Sequence, residues 1–448
     1  MTAFTTCHFP TAMKRFLLPL SLIIVALWAV LQPAGTLTFT DSFFTLRKAY
    51  TALTGALALG WMGFCMLLAL RPAWLEQQLG GLDKLYYVHK WTGIAAVLMV
   101  AMHWLLILSP RTLISWGWIE AAARQKREHG GGFSLVGQAK EMGEWAAWGL
   151  IVLGIVSLLR FVPYGWFRKL HKGFPAMFLL GAYHSVIMLW KDKLLATPFG
   201  ISLTAICIAG CVIAVISLKG TIGASRRHTG RIVRANVGES GVLELGVAPG
   251  PDWPGHTAGQ FALLTLDDNE GPHPFSIVSE WKPDAQLAFA IKPLGDYTRA
   301  LPGRVKVGDA VSIEGPYGRF DFGDVAEDQV WVAGGVGVAP FMARLEMLAE
   351  RGGANGKIHL FYSARDSREI AYPAGLEELC RKAGVQLHRR VSSREGRFSA
   401  ADIGQCVSRT GSVWFCGPTR WGRTLQTVLE RDFGLTAGRF HRELFEFR

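Results

Sequence analysis

At 448 residues the chain has room for two or three domains, and with half of them hydrophobic and only 18% charged its composition points to a membrane. A net charge of +12 raises nucleic-acid binding, but the basic residues form no single stripe with interleaved aromatics, so no nucleic-acid partner is expected. The seven cysteines include no CxxC and no four-cysteine ferredoxin spacing, which excludes a zinc ribbon and an iron–sulfur cluster.

In chain order, apolar runs fall near residues 16–34, 49–70, 86–109, 144–162, 174–190 and 199–218, each about the length of a spanning helix. The first follows Lys14 and Arg15 like a signal peptide. Pro33-Ala-Gly is a poor cleavage site, however, and five further runs follow, so a retained helix is expected. Cys207 and Cys211, four apart on the last run, read as small core-facing residues. With six spans and the amino terminus inside, the inner loops carry Arg71, Lys84, Lys90, Arg160, Arg168, Lys169, Lys172 and Lys219. The outer loops also hold cations, such as Arg111 and Arg124, so the bias is modest. It places the remaining half in the cytoplasm and the 110–143 loop outside.

An imidazole in hydrocarbon is costly without a partner. His89 and His103 lie on the third run, His171 and His184 at the start and middle of the fifth. These runs are parallel, so His89 shares the inner depth with His171, and His103 the outer depth with His184. Each pair is what a bis-imidazole haem needs, one axial nitrogen from each side. Fourteen residues correspond to roughly 21 Å along a helix and return to nearly the same face, about 40° off. The thirteen residues between His171 and His184 put those two about 140° apart on an ideal helix. Pro175 suits a first helical position, which would leave His171 just before the regular helix, free to turn inward. Lys90 and Lys172, each following an inner histidine, are cations suited to haem propionates.

Beyond residue 220 the pattern changes. RIVRANVG, VLELGVAP, HTAGQFALLTL, GPHPFSIVSE, LAFAIKPLGDYTRAL and AVSIEGPYGRF read as short strands with turns between them, an antiparallel barrel. From Val330, VWVAGGVGVAPFMARLEMLAERGG reads as strand, glycine-rich turn and helix. KIHLFYSAR, VQLHRRVSS and SVWFCGPT follow as further strands of a doubly wound α/β domain. Gly334, Gly335 and Gly337 let backbone approach a pyrophosphate, and Pro340 opens a helix whose amides face it.

LDKLYYVHK at 82–90, the histidine spacings, HPFSIVS at 273–279, GDYT at 295–298, GGVGVAPF at 334–341 and CGP at 416–418 carry a resemblance along nearly the whole chain. It resembles the ferric reductase and NADPH oxidase superfamily, bacterial branch. The resemblance implies a multi-domain membrane protein: a six-helix transmembrane di-haem bundle (1–220), an antiparallel FAD-binding β-barrel (221–325) and a doubly wound α/β NAD(P)H-binding domain (326–448). It implies FAD, NADPH or NADH and two b-type haems, the haems on His89, His103, His171 and His184. By position, Pro274, Phe275 and Ser276 would line the flavin, with the Ser276 hydroxyl near its reactive nitrogen, and His273 opens that motif. Lys292, Asp296, Tyr297 and Thr298 would hold the FAD pyrophosphate and ribityl chain; Lys292 stands where relatives often have arginine. A terminal aromatic, Phe447 before Phe445, would cover the flavin ring. Cys416, Gly417 and Pro418 would border the nicotinamide. Arg365, with Arg394 and Arg397 as further candidates, favours NADPH over NADH.

The implied function is electron transfer from cytosolic NAD(P)H across the inner membrane to a small-molecule acceptor, oxygen or ferric iron; the alternative is delivery to a separate redox protein. Where eukaryotic oxidases carry an arginine on helix two near the outer haem, this chain aligns Gly60-Trp61, which weakens the oxygen assignment.

Overall fold

A computed structural model describes residues 11–32, 42–120, 134–159, 161–267, 270–323, 328–370, 373–408, 410–436 and 438–443. They divide into two compact units, Met1–Leu79 with Lys84–Ile222, and Gly80–Asp83 with Gly223–Arg448.

The first unit is helical: α1 (Thr11–Val30), α2 (Phe43–Ala69), α3 (Ala73–Leu79), α4 (Leu82–Ser115), α5 (Leu135–Leu158), α6 (Tyr164–His171), α7 (Gly173–Lys191) and α8 (Pro198–Leu218). Helix starts follow capping chemistry. The Ser42, Ser134 and Thr197 hydroxyls accept from the amides of Thr45, Gly137 and Gly200, and Pro198 opens α8. Among the described residues five helices are long and apolar enough to cross a membrane: Phe43–Ala69, Leu82–Ser115, Leu135–Leu158, Tyr164–Lys191 and Pro198–Leu218. The first expected span appears as the shorter apolar stretch Arg15–Val30.

Glycines let these helices approach closely. A Cβ at Gly210 of α8 would lie 2.2 Å from the Phe178 ring of α7, and one at Gly149 of α5 would lie 2.1 Å from Met177 Sδ. The Trp28 indole donates to the Ala49 carbonyl at 2.9 Å and the Trp61 indole to Ser21 Oγ at 2.9 Å, tying α1 to α2. Leu98, Leu105, Val152, Ile201, Ile208 and Val212 point outward, as side chains in contact with hydrocarbon do.

The second unit has two sheets. β1 (Arg227–Val237), β2 (Leu243–Pro249), β3 (Phe261–Thr265), β4 (His273–Ser276), β5 (Leu287–Ile291) and β6 (Ala310–Tyr317) form an antiparallel sheet in the order β4-β3-β6-β1-β2-β5, with α9 (Asp296–Arg304) between β5 and β6. An antiparallel bridge from Ile277 to Phe289 joins its two edges. Leu245, Val247, Leu264, Leu287 and Ile313 are fully buried inside it, as the alternating pattern requires.

The other sheet is parallel. β7 (Gln329–Gly334), α10 (Ala339–Glu350), β8 (Ile358–Ala364), α11 (Ser367–Ile370), α12 (Leu376–Ala383), β9 (Val385–Val391), α13 (Ser392–Glu395), α14 (Ala400–Gly404), β10 (Ser412–Cys416), α15 (Thr419–Asp432) and β11 (Phe440–Arg442) follow in the chain. The strand order is β11-β10-β7-β8-β9. Chain order reverses at β7, so the crevice between the carboxyl ends of β7 and β10 is the switch point where such sheets bind ligands. The glycine turn follows β7 and Cys416-Gly-Pro ends β10, so both sequence motifs arrive there.

Phe341 of α10 is fully buried, with its ring centre 5.4 Å from Phe320, 5.8 Å from Phe322 and 5.5 Å from Trp331. Phe341→Ala is expected to cost about 3–5 kcal/mol through the cavity it leaves. Leu294→Ala, at an exposed site, should stay within about 0.5 kcal/mol. Denaturant unfolding followed by tryptophan fluorescence measures both.

Candidate functional site

Two imidazole pairs form inside the helical unit. The His89 and His171 ring centres lie 6.1 Å apart, and those of His103 and His184 lie 6.5 Å apart. One metal ion bound by two opposed imidazole nitrogens at about 2 Å each puts the ring centres about 6 Å apart, so both spacings fit a bis-imidazole iron.

The other ring nitrogens are already engaged. Nδ1 of His89 meets the Cys65 carbonyl at 3.1 Å, that of His103 meets Thr51 at 3.0 Å, and that of His184 meets Ala139 at 2.9 Å. A carbonyl only accepts, so each Nδ1 must carry the proton and each Nε2 keeps its lone pair. Ligating histidines are oriented in this way. His171 Nδ1 faces Ser157 Oγ at 3.4 Å, and its ring sits between Phe167 and Phe174.

The thirteen-residue step falls at a helix boundary just after His171, as expected, with Pro175 in the first turn of α7 rather than at its first position. His171 is the last residue of α6, the helix is interrupted at Lys172, and α7 starts at Gly173, two residues before the proline.

Two glycines that the sequence reading passed over make room for the outer pair. A Cβ at Gly143 of α5 would lie 2.4 Å from His184 Nδ1, and one at Gly55 of α2 would lie 3.0 Å from His103 Cε1. Glycine within an apolar helix was the available signal. The helix-two comparison is also corrected. Gly60 and Trp61 face α1, where they meet Ile24 and Ser21. The cation of α2 near His103 is Arg47, one turn before Thr51, donating to the carbonyls of Leu106 at 2.7 Å and Ile107 at 3.1 Å.

In the second unit, Pro274, Phe275 and Ser276 lie half-buried on β4, paired with Leu263, Ala262 and Phe261 of β3. The His273 ring stacks on Tyr297 at 4.0 Å, bringing β4 against the start of α9. Burial, with Asp267 nearby, pushes the Tyr297 phenol up to about 12, so it stays a protonated donor. Thr298 Oγ1 accepts from the amides of Leu294 at 2.9 Å and Gly295 at 3.0 Å, and Asp296 is exposed beside Arg299. The Lys292 ammonium pairs with Glu369, joining the end of β5 to α11.

At the switch point the glycines are needed for approach. A Cβ on Gly337 would lie 2.3 Å from the Cys416 carbonyl oxygen, and one on Gly334 would lie 2.8 Å from Pro418 and 3.3 Å from Gly417. Gly335 has φ +59, a left-handed conformation. Pro340 is buried in the first turn of α10. Burial, then Glu443, raises the Cys416 thiol well above its usual range, so it remains a thiol rather than a nucleophilic thiolate.

Beside these groups opens a cavity of about 320 Å³, lined among others by Lys292, Gly335, Arg365, Arg368 and Glu369. Arg365 is where the sequence places it, while Arg368 is an addition. Arg397 instead lies over the Trp421 ring at 5.7 Å, and Arg394 is in α13 away from the lining. The Gly335 to Val338 turn and these two guanidiniums can bind phosphate groups. Phe445 and Phe447 lie outside the described residues.

Residues 54–182 match the family model of the ferric reductase like transmembrane component, and residues 331–420 that of the oxidoreductase NAD-binding domain. The chain thus carries a stretch similar to a ferric-reductase-like transmembrane domain, followed by one similar to an oxidoreductase NAD-binding domain. The toluate 1,2-dioxygenase electron transfer component of Pseudomonas putida is 34% identical over 121 residues, 27% of this chain and 35% of that protein. The propane 2-monooxygenase reductase component of Rhodococcus jostii (strain RHA1) is 31% identical over 127 residues, 28% of this chain and 34% of its own length. The heme-dependent oxidative N-demethylase beta subunit of Ectopseudomonas mendocina (strain ymp) is 29% identical over 195 residues, 43% and 60% respectively. In each case the chain spans less than two thirds of the relative's length.

Replacing Arg365 and Arg368 together by alanine is expected to raise the KM for NADPH about tenfold, a loss of about 1.4 kcal/mol. The KM for NADH should change by less than about twofold. Steady-state kinetics with each nucleotide decide it, and equal loss with both would refute a 2′-phosphate role.

Proposed function

We propose that the chain moves electrons from cytosolic NAD(P)H, through FAD and two b-type haems, across the plasma (inner) membrane to an extracytoplasmic acceptor, oxygen or ferric iron. In this reading six spans form the bundle, the antiparallel sheet is the flavin barrel, and both nucleotide sites face the cytoplasm. When bound, the nicotinamide supplies hydride, the flavin converts two-electron to one-electron chemistry, and the haems carry single electrons. The residues position and tune. His89 with His171, and His103 with His184, would hold the two irons, and the carbonyls of Cys65, Thr51 and Ala139 hold three rings in the ligating tautomer. Pro274, Phe275 and Ser276 would line the flavin, Lys292, Asp296, Tyr297 and Thr298 its phosphates and ribityl chain, and Phe447 or Phe445 its open face. Gly334, Gly335, Gly337 and Pro340 would cradle the nicotinamide nucleotide, with Cys416, Gly417 and Pro418 at its ring. The observation that carries the reading is the pair of imidazole spacings, 6.1 and 6.5 Å, at two depths of one bundle.

Arg47, one turn before the Thr51 carbonyl that meets His103, is a cation on α2 that supports the oxygen reading despite Gly60-Trp61. A second reading rests on the relatives named electron transfer component and reductase component: delivery to a separate periplasmic or membrane redox protein.

Purified protein is expected to show a Soret band and two haems per chain by pyridine haemochrome assay; without the band the haem assignment fails. His103→Leu should leave one haem while NADPH still bleaches the flavin. Gly143→Leu should have the same effect without altering a ligand, because the added side chain meets the His184 ring. NADPH-driven superoxide formation indifferent to ferric chelates identifies an oxidase, and chelate reduction identifies a ferric reductase. Slow turnover with both identifies the partner-protein reading.

A further inference from the structure

Away from both sites, three side chains of the second unit converge. His359 lies near the start of β8, His388 in the middle of β9, and Cys406 two residues beyond α14. Parallel pairing of Phe361 with His388 puts His359 and His388 on one face of the sheet, where the His388 ring stacks on Phe361 at 4.4 Å. His359 Nδ1 and His388 Nε2 are 3.1 Å apart, and the Cys406 sulfur joins them with all three ligand atoms within 4.8 Å of one another. All three residues are half-buried, so the cluster is sheltered but reachable. Two imidazole nitrogens that close must share a proton or a cation, since their lone pairs otherwise face each other. Burial holds both imidazoles below their ordinary pKa, with Asp328 and Lys357 acting in opposite senses on His359 and His359 itself adding to the effect on His388.

We infer that His359, His388 and Cys406 form a metal site for a borderline-soft divalent ion, Zn²⁺, with its fourth position open to water. Two nitrogens and one sulfur are the donor set zinc takes, and in a tetrahedral site such atoms sit about 3.3–3.7 Å apart, within small side-chain rotations of the present arrangement. On binding, the proton shared by the two imidazoles moves to the outward nitrogen of the ring that carries it, and the Cys406 thiol proton is released to solvent. Because β8 ends beside Arg365 and the cluster lies towards its start, the ion would strap β8, β9 and the approach to β10 without touching the nucleotide site.

The test uses tag-free, full-length protein in detergent, stripped with chelator, dialysed against Zn²⁺ and washed, with zinc and iron counted separately by mass spectrometry. One zinc per chain is expected in the wild type and at least about tenfold weaker retention in Cys406→Ser and His388→Gln. Zinc-edge X-ray absorption of the wild type should show one sulfur at about 2.3 Å with nitrogens at about 2.0 Å, a readout independent of whether either variant folds. A zinc content equal in all three proteins, a shell without sulfur, or no retained zinc overturns the site and leaves only a hydrogen-bonded histidine pair.

Discussion

In hydrocarbon no water can satisfy a polar group, so a histidine in a spanning helix needs partners for both ring nitrogens. The helical unit is arranged around this constraint. Nδ1 of His89 and His103 reaches carbonyls of α2, and that of His184 reaches a carbonyl of α5. These carbonyls sit on neighbouring helices, so satisfying the rings also sets which helices touch and at what depth. Close approach then demands glycine where the ring meets backbone, as at Gly143 and Gly55. The tautomer of three of the four rings follows from the same hydrogen bonds that tie these helices together.

The second unit solves a comparable problem with backbone topology. A phosphate site needs amides at the end of a strand, free of side chains, beside a second loop that completes it. The β11-β10-β7-β8-β9 order brings the turn after β7 next to Cys416-Gly417, and Gly337 packs against the Cys416 carbonyl where any larger residue would collide. Lys292 and Glu369 add an ion pair between the two sheets at the edge of this crevice, half-buried and therefore less screened than a surface pair.

What could be read from the sequence was what local pattern encodes. The apolar runs, the alternating strands before Val330, the glycine turn and the matched depths of the four histidines all rest on spacing along one segment. Gly143, Gly55, Arg47 and Arg368 were not legible because their roles come from contacts between segments far apart in the chain: Arg47 bonds carbonyls 59 and 60 residues away. The helix-two comparison failed for the same reason. Position along α2 does not say which face looks at the histidines, and Gly60 and Trp61 look at α1 instead.

The interruption at Lys172 shows where a regular helix and ligand geometry compete. Fourteen residues of uninterrupted α4 return His103 to nearly the face of His89, so α4 needs no irregularity. Thirteen residues on the opposing segment would leave His171 and His184 on different faces. The regular hydrogen bonding is broken for one residue, where the Lys172 amide turns back to the Leu170 carbonyl, and the His171 ring lies 6.1 Å from that of His89. The cost is helical hydrogen bonding at the break. It falls beside Arg168, Lys169 and Lys172, at the basic end of the segment, where water and lipid headgroups can satisfy the exposed backbone groups. The break therefore sits at the one end of the segment where both demands can be met, and the outer histidine, deep in α7, keeps an unbroken helix.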